Sequence, residues 1–219
     1  MSLTVSELST TRPVSIKVLQ RHGIDFCCGG GASIDEACAK RGIEEKDLIA
    51  EIVAEEARAT TPFTRWDREP IDVLIDHLLD HYHAPLREDL VRIEAMANRV
   101  VQVHGHRDDR LEALLDVVLA LRADLEPHLE KEEIVLFPSI LSGRGADAEG
   151  PIAKMRLEHD EVAALLVRVR RLTDDYAVPS GACATWRALW MGLSDLDREL
   201  REHIALENNV LFPRALAGT

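Results

Sequence analysis

Aromatic side chains are scarce in this sequence, at 4% of the chain. Sheets draw on aromatic and β-branched residues, so this scarcity, beside abundant Ala and Leu, argues for packed helices. Basic residues are outnumbered: 26 Lys and Arg against 39 Asp and Glu leave a formal charge of -13. Such a surface repels a phosphate backbone, so nucleic acid is excluded as an expected partner. No apolar run approaches the length of a membrane span, so no membrane partner is expected. The start, Met1-Ser2-Leu3-Thr4-Val5-Ser6-Glu7, has neither the basic stretch nor the apolar run of a secretory signal. Cysteine is sparse, with Cys27, Cys28, Cys38 and Cys183 and no disulfide framework. Adjacent Cα atoms stand about 3.8 Å apart, short of the roughly 4.4–6.8 Å of a disulfide. Free thiols in a reducing compartment, and so a cytoplasmic protein, are the expectation.

With 219 residues and 46% hydrophobic content, the chain can bury a core. Residues 1–60 read as a small helical domain. Thr4 to Glu7 can cap a first turn, Pro13 and Gly23 bracket a second helix, and Ser33-Ile34-Asp35-Glu36 has a capping-box pattern. Gly42 ends that helix, and another is expected from about Glu45 to Ala59. Between them lies Asp25-Phe26-Cys27-Cys28-Gly29-Gly30-Gly31, whose glycines suggest an exposed loop. Residues 61–70 read as a linker. From 71 to 219 the chain reads as four long helices, near 71–103, 108–137, 151–175 and 182–212, joined by short connections. An antiparallel up-down-up-down four-helix bundle is the economical all-α topology. Pro127 falls inside the second of these helices and is expected to kink it without ending it.

One phrase occurs twice. His128-Leu129-Glu130-Lys131-Glu132-Glu133-Ile134-Val135-Leu136-Phe137-Pro138 and His203-Ile204-Ala205-Leu206-Glu207-Asn208-Asn209-Val210-Leu211-Phe212-Pro213 share His-x-x-x-Glu-x-x-x-Leu-Phe-Pro, 75 positions apart. Helical residues four apart lie on one face, so each copy presents an imidazole and a carboxylate together. With Leu79 as the centre of the first apolar stripe, His83 lies about 40° away, while His77 and His81 lie about 160° away. His159 shares a face with Ile152, Met155 and Val162. His128 and Glu132 share one with Val117, Leu121 and Val135, and His203 and Glu207 one with Leu189, Leu196 and Val210. The inward polar set is therefore His83, His128, Glu132, His159, His203 and Glu207.

A lone histidine on an apolar face is usually a hydrogen-bonded core residue. Two carboxylates and four imidazoles at symmetric positions are too costly to bury as packing alone, because buried charge needs pairing or a metal. The economical scheme gives two metals, two histidines each, with both carboxylates bridging. No cysteine stands among these donors, which argues against structural zinc. Mixed nitrogen and oxygen donors in a bundle suit a di-iron centre. Two carboxylates balance only part of the charge of two irons, so an oxo or hydroxo bridge is expected.

At these residues the bundle resembles a hemerythrin-like domain. Asp25-Phe26-Cys27-Cys28-Gly29-Gly30 resembles the vicinal-cysteine domain that precedes such a bundle in the Repair of Iron Centres family, and the segment from Glu202 to Gly218 is similar to that family's ending. The resemblance covers essentially the whole chain. It implies the same six ligands, with the glutamates bridging two non-haem irons. It also implies repair of iron–sulfur clusters damaged by nitrosative or oxidative stress, by supplying iron rather than as a conventional enzyme. The implied partners are damaged or apo iron–sulfur proteins or a cluster scaffold, with nitric oxide or O2 as small ligand and a second copy of the chain as a further candidate. Reduction of nitric oxide to nitrous oxide and O2 or nitric oxide sensing are the alternatives. Cys27 and Cys28 match the family's cysteines, for iron transfer or thiol redox; the bland alternative is two incidental thiols. Glu133 and Glu158 adjoin ligands, and solvation explains them as well as a supporting role does. Cys38 and Cys183 read as helix packing, and Trp66, Trp186 and Trp190 as packing anchors.

Overall fold

The computed structural model describes residues 3–59 and 63–218. Part of the expected linker, Thr61-Pro62, lies outside the described residues, as do Met1, Ser2, Thr60 and Thr219. The chain is all-α, and among the described residues the only strand-like pairing is an isolated bridge between Thr4 and Ser33. No helix among them is long and apolar enough to cross a membrane. Two compact units form: Met1–Ile75 together with Arg201–Thr219, and Asp76–Leu200.

The first unit begins with α1 (Val5–Thr11), α2 (Ser15–Arg21), α3 (Ile34–Arg41) and α4 (Glu45–Arg58). Thr4 and Glu7 make a reciprocal capping box at α1. Ser33 is the N-cap of α3, but its side chain makes no cap bond, so the expected capping box is not completed. Gly42 ends α3 at a positive φ of 68°, which a side chain rarely tolerates. Val5, Leu8, Val18, Leu19, Phe26, Ile34, Leu48 and Ile52 supply this unit's buried apolar surface.

The long helical stretches follow. α5 (Ile71–Leu78) continues through a π turn at Leu79–His83 into α6 (Ala84–His104). α7 (Arg110–Lys131) continues through a π turn at Glu132–Leu136 into the short α8 (Phe137–Ser139). α9 spans Glu149–Leu172. α10 (Ala184–Leu206) continues through a π turn at Glu207–Leu211 into α11 (Phe212–Ala217). Within the second unit α6 packs on α7, and α7 on α9. Pro127 lies inside α7, which runs unbroken past it.

These three π turns share a cause. Pro85, Pro138 and Pro213 follow them, each second in the next helix. Proline has no N–H, and its ring collides with the carbonyl four residues back. The helix widens instead: the N–H of the residue before each proline reaches back five, Ala84 to Leu79, Phe137 to Glu132 and Phe212 to Glu207. One extra residue per turn rotates the buried face, which corrects two expectations. Leu79, taken as the centre of its stripe, is only half-buried, while Leu74, Ile75 and Leu78 before the turn and His83 and Leu86 after it are buried. Val135 is 57% exposed, and Leu136 takes its place inside.

Candidate metal centre

In the second unit the fold brings together His83, His128, Glu132 and His159. His83 closes one π turn and Glu132 opens another, one helical turn beyond His128. π turns of this kind concentrate at functional sites because they re-aim a side chain without breaking the helix. All four side chains are buried, Glu132 completely. Glu132 Oε2 stands 3.6 Å from His83 Nε2 and 3.4 Å from His128 Nε2. His128 Nε2 faces His159 Nε2 at 3.2 Å. The donor atoms of His128, Glu132 and His159 lie within 4.8 Å of one another. One carboxylate is thus shared between a histidine on one side and a histidine pair on the other.

The outer nitrogens are held. His83 Nδ1 is 2.9 Å from Glu133 Oε1, and His128 Nδ1 is 2.8 Å from Glu158 Oε2. A carboxylate takes the hydrogen bond from a protonated Nδ1, which leaves the Nε2 lone pair pointing inward, the tautomer a cation requires. The carboxylates are charge-balanced in turn. Arg87 donates to both oxygens of Glu133, at 2.8 and 3.1 Å. Lys131 bonds Glu158, and Lys154 lies 3.4 Å from it. Burial pushes the Glu158 carboxyl up, but the bonds from Lys131 and His128 outweigh it and hold the group at about 2. Burial opposes the Arg87 and His83 bonds at Glu133 in the same way, and that carboxyl also stays below its usual range. Both groups therefore bond candidate ligands, His83 and His128, rather than facing only solvent. Losing such partners typically costs 10–100-fold in metal affinity. Glu133→Ala and Glu158→Ala should each weaken metal binding by about that factor without unfolding the helices, as read by competition with a chelator.

In the first unit His203 and Glu207 form the matching pair, with Nε2 and Oε1 3.0 Å apart and both side chains buried. His77 and His81 join neither set. His81 is exposed, His77 is half-buried, and their ring centroids lie 4.2 Å apart with the planes tilted by 41°. Burial and the neighbouring His81 lower His77 to about 4.

The vicinal cysteines lie in the first unit, between α2 and α3. No disulfide involves them. Cys27 is buried and Cys28 half-buried, so the exposure inferred from the glycines fails for Cys27. Asp25 Oδ1 accepts from the Cys27 N–H at 3.1 Å, the Cys28 N–H at 3.0 Å and the Cys27 thiol at 3.3 Å. Burial raises the Asp25 carboxyl, and these donors with the Gly29 N–H bring it below its ordinary value. Cys38 is buried, as packing requires. Cys183 is exposed instead, 3.3 Å from His104 Nε2. Trp186 and Trp190 are buried anchors, while Trp66 is only half-buried.

Residues 74–215 match the hemerythrin HHE cation-binding domain. The chain belongs to the hemerythrin HHE family. Its all-α fold is the hemerythrin-like one, with a helical N-terminal domain. Residues 2–65 match a second family, a domain of unknown function. This HHE protein is 37% identical over 215 residues to the iron-sulfur cluster repair protein YtfE of Cronobacter sakazakii, covering 98% of this chain and 96% of that one. It is 38% identical over 217 residues to the protein of the same name from Yersinia pseudotuberculosis, covering 98% and 97%. To that of Escherichia coli O157:H7 it is 36% identical over 215 residues, covering 98% and 96%.

Proposed function

We propose that this HHE protein repairs iron–sulfur clusters damaged by nitrosative or oxidative stress, and that it does so in the cytoplasm by supplying iron from a two-iron centre. His83, His128, Glu132, His159, His203 and Glu207 would hold it, the two glutamates supplying the carboxylate donors. Residues 71–219 are the di-iron domain, 61–70 the linker, and 1–60 the vicinal-cysteine domain.

The observation that carries the reading is Glu132. A wholly buried carboxylate faces the Nε2 atoms of His83 on one side and of His128, with His159 beside it, on the other. The donor set fits iron: nitrogen and oxygen, no thiolate, and outer carboxylates that fix two of the imidazoles. The second phrase adds a second bridging candidate, Glu207, beside His203. The matched family segment, 74–215, takes in all six residues. The relatives' name supplies the purpose.

Bound iron supplies a redox-active cation that also leaves as cargo. The chain's own residues bind it, aim the imidazoles and keep the carboxylates ionised. Cys27 and Cys28 lie outside the centre, as a candidate place for iron transfer or thiol redox. Iron-loaded protein should therefore restore an apo or damaged iron–sulfur enzyme, losing iron in proportion. Cys27→Ala should keep its iron while changing the transfer rate. Failure to restore any cluster under reducing conditions would remove the repair reading.

Nitric oxide reduction is a second reading, favoured by the sharing of Glu132, since adjacent irons would bring two small ligands together. It requires nitrous oxide over many turnovers; a single turnover at most would eliminate it.

A further inference from the structure

The two copies of the repeated phrase diverge directly after the glutamate. The first copy continues with Glu133-Ile134 and the second with Asn208-Asn209. Glu133 turns to His83. The two asparagines turn instead to the vicinal-cysteine loop. Asn208 Nδ2 donates to the Cys27 carbonyl at 3.0 Å, and Asn209 Nδ2 donates to the Phe26 carbonyl at 2.9 Å. Arg201, about two helical turns earlier, places a guanidinium nitrogen 3.9 Å from Cys27 Sγ. The loop is seated from the other side as well. α1 packs on the Glu207–Leu211 turn, and the Ser6 N–H donates to the Gly30 carbonyl at 2.8 Å. The seat has no slack: a Cβ at Gly30 would stand 3.0 Å from Ser6 Cβ and 3.2 Å from Asn209 Oδ1.

We propose that Asn208 and Asn209 are positioning residues that tie the vicinal-cysteine loop to the turn carrying Glu207, so that filling the cation centre shields Cys27 from thiol reagents. The shielding by metal rests on the proposed reading of Glu207 as a ligand; the tie itself does not. Glu207 opens the same π turn that holds both asparagines. A metal on its carboxylate fixes that turn, and the amides then hold the loop closed. Without metal the turn opens more often, and the loop opens with it. By linkage, a modification of Cys27 that holds the loop open weakens metal binding.

Brief iodoacetamide pulses on the full chain test this, with ferrous iron loaded or stripped by chelator and each cysteine read by peptide mass spectrometry. Exposed Cys183 and buried Cys38 serve as references in the same molecule. In wild type, Cys27 should react far more slowly than Cys183, and stripping the iron should speed it. In the Asn208→Ala/Asn209→Ala variant, Cys27 should react about tenfold faster than in wild type, as expected for two lost hydrogen bonds. Cys183 should be unchanged, and stripping the iron should have no further effect. If the double variant fails to fold, the near-isosteric Asn208→Asp/Asn209→Asp, which loses both donors, should behave alike. A Cys27 rate equal to wild type in these variants overturns the tie. An equal effect of stripping in variant and wild type overturns the coupling through the asparagines. If wild type takes up no iron, the reading of the centre fails separately, and the stripped proteins still decide the tie.

Discussion

Glu132→Leu should abolish iron binding while leaving the metal-free protein at least as stable as wild type. Glu132 is fully buried and lies within 3.6 Å of two inward-facing imidazole nitrogens. Two ferrous ions bring four positive charges into this interior, and the account gives them two carboxylates. Removing one leaves an excess charge that burial penalises heavily. Without metal the balance reverses. A buried carboxylate is a burden beside apolar neighbours, and apolar replacement of buried ionic groups is often neutral or stabilising by about 1–4 kcal/mol. The variant should retain its helices, bind no iron on reconstitution, and unfold in urea at or above the midpoint of stripped wild type. Full iron in Glu132→Leu would contradict the role given to this residue.

Chelation should produce the largest change in stability. A ligand that binds only the folded state at about 1,000 times its Kd adds about 4.1 kcal/mol. For a chain of this size each kcal/mol moves Tm by roughly 2–4 °C. Stripping the iron should therefore lower Tm by about 8–16 °C, and Glu132→Leu should show no such fall. Equal melting of loaded and stripped wild type would mean that the metal is not held by the folded core.

The burial of the six polar side chains was legible because the phrase repeats and the histidines lie in phase with apolar neighbours. His83 was separated from His77 and His81 by phase alone, and it is buried while His81 is exposed. The π turns were not read, although Pro85, Pro138 and Pro213 announce them; a strict 100° step therefore misplaced Leu79 and Val135. The step tolerated a one-residue slip at His83 because it lay near the middle of a wide stripe. Glu133 and Glu158 could not be told from solvated charge, since their partners sit on the next helix or at a distance of 30 residues or more. The Cys27 loop is bonded by Asn208 and Asn209, far away in sequence. The visible trace was the mismatch between the two copies at those positions.

The central claim is a pair of irons sharing Glu132 and Glu207. Metal analysis of the purified protein with its Mössbauer spectrum tests it most directly. The account predicts two irons per chain and the spectrum of a magnetically coupled pair. One metal per chain, zinc in place of iron, or two irons with no coupling would contradict it.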